Sequence, residues 1–509
     1  MPETPFRAVD PAQPAVIVEP SGDVITYEDL ETRSNQVAHL FRDRGLQAGS
    51  CVAVLVENRA EYFELVWGAQ RAGLYYVGVN THLTEAEAAY ILRDSGAQLV
   101  IASDTLAPLA DAILADPALA PRGRLMLGSA RAGWESYEQQ RSLRPRTPIP
   151  DESEGDFLLY SSGTTGRPKG IQRPLSGGPV GSHPDVPGRW LRELLDFAPG
   201  DVYLSPAPLY HAAPLAWTMS AHRSGGTVVL LHHFDPELAL DAIARHQVTH
   251  SQWVPTMFVR MLKLPAQVRD EYDLSSLRHA VHAAAPCPVD IKRAMIDWWG
   301  PILFEFYSST EGVGATTITS QEWLRKPGSV GKPIHGRPYV TDDEGTELAV
   351  GEIGTVWFAD SGEFTYRGDP GKTAAAQDSR GGVSVGDTGF LDQDGYLYLT
   401  DRRTHLIISG GVNIYPREIE DVLLMHPAVA DVGVVGVPDA EMGERVIAAV
   451  QLQAPATAGP DLAAELISFA RTKLAGFKVP RDIRFPAHLP RTPTGKMRKH
   501  ELKQLLMNS

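Results

Sequence analysis

Tyr160-Ser-Ser-Gly-Thr-Thr-Gly-Arg-Pro-Lys-Gly170 is the stretch on which the reading of this chain turns. An apolar strand, Phe157 to Tyr160, runs directly into it. Gly163 and Gly166 permit positive φ and close backbone approach. Ser161, Ser162, Thr164 and Thr165 supply hydroxyl donors, and Lys169 supplies a cation. Such a loop is suited to cradling a polyphosphate. It is not a Walker loop: the glycine-to-lysine spacing differs, Gly170 follows Lys169 where Ser or Thr is needed, and Pro168 precedes it.

Upstream, apolar runs alternate with helical patterns. Thr26 caps a predicted helix with Leu30, Val37, Leu40 and Phe41 on one face. Val52–Val56 reads as a strand, and a helix from about Arg59 ends at Gly73. Tyr75–Val79 follows, then a Thr84-x-x-Glu87 capping box opening another helix, then the strand Leu99–Ala102. Strands this apolar suit burial on both faces, so a layered α/β fold with a largely parallel sheet is expected. From 202 to 306 strands and helices alternate again. Short runs between glycines over 330–400 predict a β-rich subdomain. After Asp401 the pattern is that of a compact α+β domain. The predicted organisation is a large N-terminal α/β domain over 1–400, containing the subdomain 330–400, and a small mobile C-terminal domain over 401–509.

With 509 residues the chain exceeds what one core usually serves. A net charge of −15 argues against a general nucleic-acid binder. Cys51 and Cys287, the only cysteines, provide neither a disulfide framework nor a cysteine-rich metal site. The N-terminus lacks a signal pattern, and no apolar run reaches the ~20 residues of a membrane span, so a cytoplasmic protein without a membrane span is expected. His246 and His250 have metal-ligand spacing, but Val248 and Thr249 predict a strand that would hold the rings ~13 Å apart. The His279/His282 pair has no evident acidic or cysteine partner, the His232-His233 pair reads as a loop, and no metal is expected at any of the three.

Further segments follow in order: Pro208-Leu-Tyr-His-Ala-Ala-Pro-Leu215, Ala284-Ala-Pro286, Tyr307-Ser-Ser-Thr-Glu-Gly312, Gly386-Asp-Thr-Gly-Phe390, Asp401-Arg402, Gly410-Gly411 and Pro490-Arg-Thr-Pro-Thr-Gly-Lys496. With the loop at 160–170, this series resembles the adenylate-forming superfamily of acyl-CoA synthetases, peptide-synthetase adenylation domains and luciferases, over nearly the whole chain. The resemblance implies an AMP-forming acid–thiol ligase that uses ATP, Mg²⁺ and coenzyme A. Such an enzyme joins a carboxylate to the α-phosphate, releases pyrophosphate, and passes the acyl group to a thiol.

The resemblance also implies roles for individual residues. Ser161, Ser162, Gly163, Thr164, Thr165, Gly166 and Lys169 would hold phosphates. Ala284, Ala285, Pro286, Tyr307 and Ser308 would line the nucleotide, with Tyr307 against adenine. Thr310 would bind the α-phosphate, Glu311 and Thr165 would serve Mg²⁺, and Asp387 and Arg402 would meet the ribose or phosphate. Lys496 would bridge the carboxylate and the α-phosphate, and His211 would gate the acyl pocket. Thr404 stands at the hinge and His405 where an acid is usual. Gly410 and Gly411 would face CoA in the second step. Trp217, Trp253, Ala283, Phe306 and Gly312 fall in expected acyl-pocket segments, aromatic and small residues without an evident cation. A hydrophobic monoacid (fatty, aryl or polycyclic) is therefore expected, with the Gly/Pro-rich segment 174–188 as a flap that could admit a bulky one. Rival readings are a ligase that delivers to a separate carrier protein, a luciferase-type oxygenase and a non-catalytic nucleotide-binding homologue.

Adenylation brings two anions together, so a cation placed where charge builds lowers the barrier. Lys496→Ala is expected to slow pyrophosphate exchange by about 10²–10³-fold; wild-type exchange in that variant would remove Lys496 from the chemistry.

Overall fold

The computed structural model describes residues 6, 9–117, 119, 121–161, 169–182, 185–309, 311–361, 364–402, 405–410, 412–439, 442–491 and 497–508, with backbone alone at 161, 169, 372, 401, 402, 413 and 508. Two compact units divide the chain, the first Met1–Trp253, Met257–His282 and Glu363–Thr373, the second Val254–Thr256, Ala283–Gly362 and Ala374–Ser509.

The first unit contains a six-stranded sheet in the order Glu135–Ser136, Gly123–Leu127, Ala97–Ser103, Cys51–Leu55, Tyr75–Gly78, Asp156–Phe157. Every pairing in it is parallel, as the buried apolar strands predict. The helices between them start where local chemistry starts them. Thr26 and Asp29 close a capping box on Tyr27–Asp43, and Thr84 and Glu87 close one on Glu85–Ser95. Gly96, at φ 64°, ends the latter.

A second sheet of the same unit runs His279–His282, His250–Trp253, Val202–Ser205, Thr227–Leu231, Pro14–Glu19, Asp23–Thr26. Its strands are parallel except the last pair. Asn58, 4% exposed, fastens the chain where it leaves this sheet. Its Nδ2 donates to the carbonyls of Ala207 (3.0 Å) and Leu231 (2.9 Å), and its Oδ1 accepts from the Leu209 N–H (2.8 Å).

The phosphate-loop candidate lies in a three-stranded antiparallel sheet. Leu159–Ser161 pairs with Lys169–Gln172, which pairs with Thr365–Tyr366. Tyr160 donates to Asp94 at 2.6 Å, and the Arg367 N–H donates to the Gly170 carbonyl at 2.9 Å. Both ends of the loop are thus anchored.

In the second unit, antiparallel strands begin at Leu303–Ser308, earlier than the predicted 330. Ala315–Thr319, Ser329–His335, Leu397–Arg402, Asp387–Leu391, Gly354–Ala359 and Arg337–Thr341 follow in spatial order. The apolar run at 303–306 looks like another parallel-sheet strand when read alone, but its partner is the hairpin mate 315–319. Beyond 402, Val412–Ile414, Ile407–Ser409, Gly443–Leu452 and Val429–Asp439 form a further sheet, with Asp482–Arg484 beside Gly443–Leu452. Ile419, Leu423, Leu466 and Ala470, from two helices of this region, are buried in one core with Val432, Val434 and Val450.

Two expectations change. His246 ends the helix Pro236–His246, and His250 starts the next strand, so no single strand carries both. Gln247, at φ 51°, breaks the helix between them. His246 Nε2 lies 2.7 Å from Glu19. The segment 174–188 is tied down in its described part rather than being a free flap. The Glu154 N–H donates to the Gly178 carbonyl (2.9 Å), the Gly181 N–H donates to the Glu154 carboxylate, and Asp185 accepts from Gly188 N–H and Ser220.

Both cysteines are free and buried. Burial pushes the Cys51 thiol up to about 12 and raises that of Cys287 as well.

Two stability predictions follow from buried polar groups. Asn58→Leu leaves two carbonyls and one N–H without their partner, and should cost about 3 kcal/mol or more in urea unfolding. Trp67 Nε1 donates to His222 Nδ1 (3.3 Å), and His222 Nε2 lies 3.0 Å from the Ala15 carbonyl, an arrangement that needs the neutral ring. Burial, against the pull of that carbonyl, pushes His222 down to about 4, and burial depresses His250 too. The unfolded chain then binds more protons below about 6.5. Stability should be full above that pH and fall as pH drops toward 4, by about 1.4 kcal/mol per unit for each such histidine. Melting between pH 7.5 and 5 tests this, and His222→Gln should flatten the slope by one histidine's share.

Candidate active site

In the second unit one hydrogen bond gathers two of the sequence segments. Tyr307, near the end of Leu303–Ser308, donates its Oη to Asp387 Oδ2 at 2.6 Å. Asp387 is 8% exposed and opens the strand Asp387–Leu391. The antiparallel register sets the Asp387 backbone directly opposite Arg402. Residues eighty and fifteen positions apart in the chain are thus brought to Asp387. The Tyr307 ring is half-buried and lies 6.2 Å from that of Phe358. Ser308 is exposed at the strand end, its Oγ donating to the Gly314 carbonyl (2.9 Å). A partly buried tyrosine face beside a carboxylate with two acceptor oxygens can take a flat heterocycle and a diol.

The turn that follows stays tight. The Gly312 N–H donates to the Ser309 carbonyl at 3.0 Å, and Gly312 adopts φ 75°. Glu311 is half-buried within it, an oxygen donor of the kind that suits a hard cation. Phe306 is half-buried on the preceding strand.

Ala284 adopts φ 72°, rare for a residue with a side chain and a mark of stored strain. Ala284 and Pro286 are exposed and Ala285 half-buried, while Ala283 is buried at 6%. The turn is therefore largely exposed. The helix Val289–Trp299 follows closely and is locked to the strand bearing Tyr307 by a buried pair, Lys292 Nζ to Glu305 Oε2 at 2.5 Å. Sequence reading missed this pair, since burial and not spacing makes it. Gly410 is exposed at φ 57°, and its N–H donates to the Met442 carbonyl at 2.8 Å.

In the first unit His211 is half-buried at the start of the helix Ala212–Arg223, its ring 4.6 Å from that of Tyr210. Burial, with His82 nearby, pushes its imidazole down to about 3, so it is neutral at physiological pH. Asn58 holds Ala207 and Leu209 just before it, a positioning role invisible in sequence because its partners are about 150 residues away. Trp217, on the same helix as His211, is buried and packs edge-on against Trp190 at 6.3 Å. Trp253 is buried as well. Its Nε1 donates to Ser251 Oγ (2.6 Å) and its ring packs with Phe234 and Phe258, on the sheet face opposite His250.

Ser161 and Lys169 pair across the base of the phosphate-loop candidate, where the backbone alone is described. Ser162, Gly163, Thr164, Thr165, Gly166, Thr310, Thr404, Gly411 and Lys496 lie outside the described residues.

Residues 6–367 match the AMP-binding enzyme family and residues 418–496 the AMP-binding enzyme C-terminal domain. A fatty acid–[acyl-carrier-protein] ligase, ScoC of Streptomyces coeruleorubidus, is 33% identical over 98% of this chain and 95% of its own. A feruloyl-CoA synthase from Amycolatopsis is 32% identical over 98% of each. The ATP-bound MatB of Rhodopseudomonas palustris superposes with a TM-score of 0.80 at 29% identity, over 98% of this chain and 97% of that one. Among the described residues no helix is long and apolar enough to cross a membrane. The chain belongs to the adenylate-forming superfamily, as an ATP-using, AMP-forming acid–thiol ligase.

Proposed function

We propose that this enzyme activates a hydrophobic monocarboxylic acid, fatty, aryl or polycyclic, as its acyl-adenylate and transfers the acyl group to coenzyme A. The observation that carries the reading is the hydrogen bond that brings Tyr307 to Asp387, whose backbone lies opposite that of Arg402. Tyr307 lies against adenine, and Asp387 accepts from the ribose hydroxyls. Lys169 and the hydroxyls of Ser161, Ser162, Thr164 and Thr165 hold the phosphates. Thr310 donates to the α-phosphate, and Lys496 neutralises the charge that builds between carboxylate and α-phosphate. Neutral His211 and Trp217 border the acid. Ala283, Phe306 and Gly312 are assigned to the acid by the sequence segments in which they fall.

Mg²⁺, when bound, shields the phosphate charge; Glu311 and Thr165 offer the oxygen ligands it prefers. Residues 401–509 act as the moving part, turning at Thr404 so that Lys496 serves the first step and Gly410-Gly411 the second. The protein works in the cytoplasm. Likeness to an acyl-carrier-protein ligase supports a second reading, in which a carrier thiol replaces CoA.

Incubation with ATP, Mg²⁺ and a mixed panel of acids, followed by mass analysis of bound acyl-adenylate, tests the first step. Adding CoA or a phosphopantetheinylated carrier then shows which thiol releases AMP. Asp387→Ala should raise the KM for ATP about 10–100-fold, as loss of a buried charged hydrogen-bond acceptor does. No AMP from any acid, or an unaltered KM, would overturn the reading.

A further inference from the structure

Among the buried polar atoms of the first unit's second sheet that nothing described above uses, two lie on neighbouring strands. Ser205 is 1% exposed and Gln252 is 5% exposed. Neither Ser205 Oγ nor Gln252 Oε1 finds a hydrogen-bond partner among the described residues. Burying such an atom unpaired costs free energy, and a native fold keeps one chiefly where something else completes it.

The two atoms belong together. Tyr203 pairs with His250 and Leu204 with Ser251 in parallel register. The next step along both strands sets Ser205 beside Gln252, and alternation puts both on the face that carries His250. That face is identified by its cover. His250 Nε2 lies 2.7 Å from the Leu195 carbonyl, and its ring is 4.8 Å from that of Phe197, just past the helix Val186–Leu194. Trp190 of this helix packs on Trp217, which shares its helix with His211. Ser205 is the last residue of its strand and Gln252 the last but one of its own. They therefore sit at the carboxyl edge, where parallel sheets take their ligands. Flanking strand positions are apolar: Leu230 pairs with Ser205 and Val281 with Gln252.

We propose that Ser205 and Gln252 form a receptor for a hydroxyl group carried by the acid remote from its carboxylate. The hydroxyl donates to Gln252 Oε1 and accepts from the Ser205 hydroxyl, while the body of the acid stays apolar. This rests on the acyl-adenylate reading and narrows it, from hydrophobic monoacids in general to hydroxylated ones, phenolic or alcoholic.

The test uses matched acids that differ by one hydroxyl: 4-hydroxycinnamic against cinnamic, and 10-hydroxydecanoic against decanoic. AMP formation is measured with the full-length enzyme, ATP and Mg²⁺. In at least one pair the hydroxylated acid should be favoured about ten-fold or more in kcat/KM, since a site built around a hydrogen bond rejects the analogue that lacks it. Gln252→Met and Ser205→Ala should each pull that ratio toward one. Gln252→Met should also melt higher than the wild type without ligand, because it removes an unsatisfied buried atom. Equal efficiency within both pairs, or a preference that both variants retain, overturns the proposal while AMP formation upholds the adenylate reading. A lower melting temperature for Gln252→Met, showing Oε1 to be satisfied in the folded chain, also overturns it. No AMP from any acid overturns both.

Discussion

The hydrogen bond from Tyr307 to Asp387 joins two strands whose residues have no local reason to meet. Each strand end is unremarkable alone: a tyrosine before serines, an aspartate after a glycine. Antiparallel pairing of Asp387–Leu391 with Leu397–Arg402 adds the arginine, and the short bond adds the aromatic face. The Lys292–Glu305 pair then holds the adjacent helix to the strand carrying Tyr307. Breaking a buried pair of this kind leaves an uncompensated charge, typically several kcal/mol, so the frame behind the tyrosine is stiff.

The first unit uses a different device. The segment leading to His211 is irregular and largely buried, so its backbone groups need partners that no helix or strand provides. Asn58 supplies two of them from a distant part of the chain, and ties the end of the strand Thr227–Leu231 to the same side chain. A neutral imidazole at the head of the next helix suits a border for an uncharged acyl body.

Much of this was legible in the sequence where causes are local. Thr84 and Glu87 announce their helix within four residues, and the run at 51–55 announces a buried strand by composition alone. The ordered motifs singled out Tyr307 and Asp387, two residues that the fold joins by a hydrogen bond. What escaped reading depends on distant partners. The run at 303–308 belongs to an antiparallel sheet because of its neighbour, not its own composition. Val248 and Thr249 look like strand, yet Gln247 in the left-handed region ends a helix just before them. The face to which Trp253 belongs is set by strand parity, and the tethering of 174–188 by Glu154, a residue twenty positions earlier.

The two sequestered thiols bear on a hazard special to this chemistry. An enzyme that makes a mixed anhydride exposes a potent acylating agent to every nucleophile within reach, and a thiolate is among the fastest. Cys51 and Cys287 are both enclosed and held in the protonated form at neutral pH, so the protein offers its own activated intermediate no competing sulfur. Self-modification is thereby avoided at both cysteines, and the acyl group is kept for the thiol brought to it.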